Sequence, residues 1–235
     1  MEAEYLRDDS TYRDRQLEAV RTAIPQFLPG FSDLRVRRSP LRMTIQKQCQ
    51  ELIINQLSDG EKCLLAMVGD IARRLAIANP GLENPLQGEG VVLIDEIELH
   101  LHPQWQRKII PSLRSAFPNC QFIVTTHSPQ IISHVEPESI YIIYILEATP
   151  EGIKAFRPEY SLGRDSNTIL EDLMGVPARP KEYQEKLQEL FQLIEEGDLN
   201  AAREKAAQLS VEIGADEAEL VGARAAIRRK EILGR

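Results

Sequence analysis

Cysteine is scarce in this chain of 235 residues, and long apolar runs are missing altogether. Cys49, Cys63 and Cys120 show no C-x-x-C spacing and cannot all pair, which suits a reducing cytoplasm. The longest apolar run, residues 140–146, is far too short to span a bilayer, so no membrane partner is expected. The start, Met1-Glu2-Ala3-Glu4-Tyr5, is acidic and lacks the apolar stretch of a signal peptide. A cytoplasmic protein is therefore expected. Basic excess is missing too: the net charge of −8 gives no electrostatic footprint for nucleic acid. One local exception, Arg35, Arg37, Arg38, Arg42 and Lys47, reads as a solvated strand face. There is no internal repeat and no low-complexity tract.

What is present is an ordinary globular composition, 43% apolar and 27% charged, on a chain long enough for one domain plus an appendage. Residues 8–28 read as a helix with Leu17, Val20, Ile24 and Phe27 on one face, stopped by Pro29-Gly30. Short strands follow at 34–38, 41–46 and 51–54. A helix from Asp59 to about Ala78 carries the stripe Leu64, Val68, Ile71, Leu75. Residues 91–94 form a wholly apolar strand of the kind buried on both faces of a parallel sheet. Pro103 opens the next helix, which carries Trp105, Ile109, Leu113 and Phe117, and Pro111 is expected to kink or split it. A second buried strand at 121–126, a short helix after Pro129 and a third strand at 139–146 continue the alternation, and residues 152–156 are expected to pair back as a hairpin. Alternating strands and helices predict an α/β fold with a mostly parallel sheet. From Lys181 the pattern is helical only, with stripes Leu187, Leu190, Phe191, Ile194 and Ala202, Ala206, Leu209, Ile213, then a last helix from Asp216.

Three short segments carry chemistry. Ser58 and Glu61 fit a capping box at the start of a helix, and Ser58, the Gly60 amide and the positive helix end could together bind a phosphate. Gly60 has no side chain to keep an anion from the backbone. Asp95 and Glu96 close an apolar strand at its carboxyl end, where ligands sit in open α/β sheets. Unpaired acids there are costly for folding alone, so the pair reads as functional: one carboxylate for magnesium, the other for an attacking water. His127, between Thr126 and Ser128, suits a γ-phosphate contact. Glu98, His100 and His102 also suggest a metal site, but a zinc site needs more ligands at firmer spacing, and the segment reads better as a loop facing an opposite subunit.

In order, Leu57-Ser58-Asp59-Gly60-Glu61, the stretch from Leu93 to Pro103 and Thr125-Thr126-His127-Ser128-Pro129 resemble the signature, Walker B, D-loop and H-switch motifs of ABC/SMC-like ATPases. The string Asp-Glu-Ile-Glu-Leu-His-Leu-His-Pro from Asp95 is typical of the AAA-type branch of overcoming-lysogenization, RecF-like and Septu PtuA-like proteins. Residues 160–167, Met174-Gly175-Val176 and the closing helix resemble a bacterial subgroup of ATP-binding proteins related to PtuA. The resemblance implies the C-terminal lobe of a P-loop NTPase with a helical appendage, and ATP and Mg2+ as cofactors. It assigns Asp95 to magnesium, Glu96 to the catalytic base and His127 to the switch. Ser58, Asp59, Gly60 and Glu61 become the signature that acts on a partner's nucleotide, and His100 and His102 the D-loop. It further implies a head-to-head homodimer or a complementary ATPase half, with a nuclease or other effector beside it in an anti-phage or DNA-related assembly. DNA as a partner follows from relatives only. No acidic Toprim cluster follows His127.

One motif of the set is not encoded in these residues: the G-x-x-x-x-G-K-[ST] phosphate loop. In the family's sheet its strand lies between the His127 strand and the 139–146 strand, so a gap with exposed edges is expected there, or else direct pairing of those two strands. The expected organisation is 1–56 leading into the signature, 57–158 as the ATPase lobe and 159–235 as linker and helical tail. Two functions are compatible with it: ATP hydrolysis completed by a phosphate loop from elsewhere, or a non-catalytic lobe that docks a partner.

Overall fold

Asp14 caps the first helix, its carboxylate accepting from the Leu17 amide at 3.0 Å. The computed structural model describes residues 14–38, 40–145 and 153–233, in two units, residues 1–169 and 170–235. Helix α1 (Arg15–Phe27) buries Leu17, Ala19, Ala23, Ile24 and Phe27, while Val20 is half-buried. The first seven positions of the predicted helix, residues 8–13 among them, lie largely outside the described residues.

After the turn at Gly30 (φ +93°), three strands form an antiparallel sheet: β1 (Phe31–Arg38), β2 (Leu41–Lys47) and β3 (Gln50–Ile53). Arg37 stands opposite Arg42 and Lys47 opposite Gln50. Leu34 and Ile45 are buried in the core with α1. Arg35 pairs with Asp33 and Arg37 with Glu51, so two of the basic side chains already have acids on the same sheet.

Helix α2 (Asp59–Ala78) occupies the predicted span, and all four residues of its stripe, Leu64, Val68, Ile71 and Leu75, are buried. Strands β4 (Gly90–Ile94) and β5 (Cys120–Val124) pair in parallel, Gly90 with Cys120 through Ile94 with Val124. They join through α3 (Pro103–Ala116), which buries Ile109 and Leu113, with Phe117 behind them and Trp105 half-buried. This α3 is one continuous helix, contrary to the expectation for Pro111. Pro111 and Arg107, four residues earlier, are both exposed, so water can take the carbonyl that the missing N–H leaves free.

The expectation of strands buried on both faces also fails. Gly90, Val92 and Ile94 alternate with exposed Val91 (59%) and Leu93 (75%), and Ile123 on β5 is 51% exposed. Only one side of the pair packs on the core, where Val92, Ile94, Phe122 and Val124 meet the buried cluster. After the short helix α4 (Pro129–Ile132), β6 (Ile142–Ile145) and β7 (Ile153–Phe156) form the predicted hairpin. Residues 139–141 are a helical turn and coil, and residue 146 lies outside the described residues. Among the described residues β5 pairs only with β4 and β6 only with β7, so direct pairing of β5 with β6 is not formed.

A segment for which the sequence suggested no element folds onto α4. Ser161, 1% exposed, donates to the Val135 carbonyl at 2.7 Å, and the Gly163 amide donates to Ser133. Helix α5 (Ser166–Asp172) follows, capped by Asp165, which accepts from the amides of Asn167 and Thr168.

The helical unit comprises α6 (Lys181–Glu196), α7 (Leu199–Ile213) and α8 (Ala218–Leu233). Gly197 (φ +85°) ends α6 in the left-handed conformation that favours glycine, and Asp198 caps α7. Leu187, Leu190, Ile194, Ala202, Ala206, Leu209, Leu220, Ala223 and Ile227 form its core. Phe191 is 37% exposed and outside that core, since it lies a quarter-turn round from Leu190. Lys230 donates to the Ile194 and Glu195 carbonyls, tying α8 to the end of α6. No helix of the described residues is long and apolar enough to cross a membrane.

Candidate functional site

The signature segment folds as the capping box predicts. The Ser58 and Glu61 side chains answer each other's backbone amides, at 3.0 Å for Ser58 N to Glu61 Oε2. Glu61 also receives Lys47 Nζ at 2.7 Å. Burial pushes the Glu61 carboxyl up, but the hydrogen bonds from Lys47 and Ser58 outweigh it and hold it below the usual glutamate range. Asp59, on the exposed side of the turn, pairs with Lys62. Gly60 serves a purpose that sequence did not suggest: a Cβ there would lie 2.8 Å from the His100 carbonyl oxygen. What approaches this glycine is the loop after β4, so residues 57–61 and the turn at His100 abut within one chain.

Asp95 and Glu96 leave β4 on the exposed side. Asp95 follows Val91 and Leu93 at a two-residue period, and in register it stands across from Thr125. Thr125 binds both acids' residues, donating its hydroxyl to Asp95 Oδ1 and accepting from the Glu96 amide at 2.8 Å. Both carboxylates are exposed, and Glu96 adopts φ +47°, uncommon for a residue with a side chain. The second Asp95 oxygen and the Glu96 carboxylate are therefore open to a ligand, as a cation site at a strand end requires.

Glu98 is the residue whose role sequence reasoning missed. Its two oxygens accept from Thr126 Oγ1 at 2.6 Å and from the His127 amide at 2.5 Å. This carboxylate clamps the loop after β5 to the loop after β4 and fixes the backbone that carries His127. A third acid two residues beyond an Asp-Glu pair was the available signal. Its engagement also removes it from any set with His100 and His102. His102 is taken as well: it caps α3, with Nδ1 accepting from the Gln104 amide at 3.3 Å. His100 sits at φ +63° in the tight turn against Gly60.

Gln106 of α3 extends the clamp, donating to the Leu101 carbonyl at 2.9 Å and accepting from Ser128 Oγ at 2.7 Å. Gln130 then joins Arg107 to Ser166, so the 160–167 segment braces the same corner. The structure thus gathers Asp95, Glu96, Glu98, Thr125, Thr126 and His127 at one end of the β4–β5 pair. Residues 57–61 are joined to that corner through the close approach of Gly60 to the His100 carbonyl.

With this geometry, comparison with known proteins is decisive. Residues 4–133 match the family model described as "AAA domain, putative AbiEii toxin, Type IV TA system". The chain belongs to this family. It is an AAA-domain chain. It is 42% identical over 231 residues to the "Retron Ec83 probable ATPase" of Escherichia coli, covering 97% of this chain and 42% of that protein. It is 48% identical over 141 residues to the "Retron Vc95 probable ATPase" of Vibrio cholerae, covering 60% of this chain and 27% of the relative. A "Septu protein PtuA" of Bacillus thuringiensis is 31% identical over 152 residues, 62% of this chain and 38% of that one. The chain spans less than half the length of each of these relatives. A solved "SMC head domain from Thermotoga maritima" aligns with a TM-score of 0.45 at 19% identity, over 64% of this chain and 49% of that one. The fold class expected from the sequence, α/β with a parallel sheet and appended C-terminal helices, stands.

Proposed function

We propose that this chain is the C-terminal lobe of an ATP-hydrolysing machine, and that its site works only when a phosphate loop outside these 235 residues is set against it. The observation that carries the reading is the bare side of the β4–β5 pair. Val91, Leu93 and Ile123 are exposed on the side from which Asp95 emerges. Covering such side chains contributes roughly 1.5–3 kcal/mol each. A lobe that brings a phosphate loop and seats on that apolar side would be held beside Asp95 and Glu96 by the same contact. The edge of β5 that is unpaired among the described residues would receive its strand.

In this reading ATP would bring the electrophilic γ-phosphoryl group and Mg2+ would neutralise its charge, while the chain's residues position and polarise around it. Asp95, steadied by Thr125, holds the cation. Glu96 accepts a proton from the attacking water, and the His127 imidazole donates to the phosphate as its charge develops. Glu98 keeps His127 in place. Ser58 and Gly60 present the start of α2 to the nucleotide of the opposing subunit, with the helix dipole favouring the anion. The Ser58 hydroxyl must then give up its hydrogen bond to Glu61. His100, against Gly60, couples the signature to the D-loop. A dimer follows from a signature that serves a second subunit's site. Cytoplasmic, anti-phage work beside a nuclease or other effector is the context this reading proposes, with retron probable ATPases and a Septu protein among the chain's relatives.

The test is ATP titration and size exclusion of the chain alone, then ATPase assay after adding the lobe that carries the phosphate loop. The isolated chain should neither bind ATP at micromolar concentration nor hydrolyse it. A monomer that binds ATP tightly would sink the proposal. In the reconstituted assembly Glu96→Gln should abolish turnover; an unchanged rate would leave the non-catalytic docking lobe as the correct reading.

A further inference from the structure

The three helices of the C-terminal unit leave a groove of about 600 Å³ open between α7 and α8. Helices α7 and α8 each turn one i, i+3, i+4, i+7 face toward it. Its floor is small and mostly apolar: Ala206, Ala207 and Ser210 from α7, with Ile227 from α8. Three arginines, Arg203, Arg224 and Arg228, stand around that floor. Arg203 pairs with Glu231 across one end, and Arg224 donates to the Ala215 and Leu220 carbonyls at the other. Arg228, between them, is exposed and has no acid or carbonyl partner among the described residues.

The helices also carry apolar side chains that the unit's own core does not use. Val211 on α7 is 89% exposed, and Val221 and Ile232 on α8 are 51% and 69% exposed. Val221, Ala225, Arg228 and Ile232 follow one another at i, i+4, i+7 and i+11, a second stripe beside the buried Leu220, Ala223 and Ile227. So α8 keeps Val221, Ala225 and Ile232 exposed beside Arg228, on a side that α6 and α7 leave open among the described residues.

We propose that the α7–α8 groove is the docking site for an amphipathic helix of a partner protein, with a narrow apolar stripe flanked by Asp and Glu. The small floor lets a third helix approach closely, as ridges settle into grooves. The incoming helix would complete a four-helix arrangement over α7 and α8. Charge selects its flanks: three arginines face a single glutamate here, in a chain whose net charge is −8. A nucleic-acid backbone would use the arginines but would gain nothing from the Ala206, Ala207 and Ile227 floor or from Val221 and Ile232 exposed elsewhere on α8, so the apolar floor favours a helix. This site lies in the helical unit and does not rest on the nucleotide reading above.

The test uses the full chain and a fluorescein-labelled model helix with a Leu/Ala stripe and Glu flanks, followed by anisotropy. A peptide of the same composition in scrambled order is the comparator. The amphipathic probe should bind about tenfold more tightly than the scrambled one, as a groove that reads a helical face requires. Arg228→Glu, and separately Ala207→Trp, should each weaken it by about tenfold, with far-UV circular dichroism unchanged. Glu185→Gln, on α6 outside the groove, should leave binding as it was. Equal binding of the two peptides overturns the proposal. So does binding of a labelled single-stranded oligonucleotide that Arg228→Glu abolishes, which would make the groove a nucleic-acid site. Self-association that the same substitution abolishes would make the occupant a second copy, and overturns it too.

Discussion

Helix α2 and the β4–β5 pair are both read from sequence as apolar elements of one core, yet they end up differently. Every stripe residue of α2 is buried. In the strand pair only alternate residues reach the core, while Val91, Leu93 and Ile123 face outward. A helix stripe needs cover on one side, and α1 supplies it. A central parallel strand needs cover on two, and the described residues supply only one. The difference teaches that apolar pattern measures how much burial an element requires, and says nothing of whether the same 235 residues provide it.

Substitutions at equivalent leucines should break this comparison most sharply. Leu64→Ala in α2 should destabilise the chain by about 2–5 kcal/mol in urea denaturation. Leu93→Ala should stay within about 0.5 kcal/mol of the parent, as an exposed position does. Comparable losses at both would mean that the β4–β5 side is covered in solution. The next effect concerns the clamp: Glu98→Gln, which leaves one of the Thr126 and His127 donors a neutral acceptor and sets an NH2 group against the other, should lower stability by about 1–2 kcal/mol. Hydrogen exchange at the His127 amide should quicken with it, and an unchanged rate would show that the loop holds without the carboxylate.

At the start of α2, Ser58→Ala should cost about 1 kcal/mol, the usual value of an N-cap. The pH dependence there has a definite sign. Because the Glu61 carboxyl is held below its ordinary range, its contribution is present at neutral pH and fades as pH falls through that range. Glu61→Gln should remove this part of the acid sensitivity, and a parent-like acid profile in the variant would contradict it. The smallest effect is at the cysteines. Burial pushes the Cys120 thiol up, whereas Cys49 and Cys63 are exposed. At neutral pH iodoacetamide should therefore modify Cys49 and Cys63 before Cys120. Mass spectrometry of timed aliquots reads the order.

Much of this was legible in the chain because the signals are local. A capping box is satisfied within four residues, so the start of α2 could be placed at Asp59, and a 3.6-residue stripe marks its inner face whatever lies opposite. The hairpin of β6 and β7 and the three tail helices follow from equally short-range pattern. The site was half legible. Asp95, Glu96 and His127 stand out by residue type, but Glu98 acts through partners near thirty residues away in sequence, Thr126 and His127. Gly60 was singled out for an anion, and it is the His100 carbonyl that needs the space.

The sequence alone determined the elements, their order and the acids and histidine that mark a nucleotide-handling family, since propensity, capping and period are properties of neighbours. Tertiary structure alone decided which apolar residues stay bare, which carboxylate clamps two loops together, and which side of α8 is covered. Those outcomes depend on what packs against each face, and packing partners lie far apart along the chain or outside it.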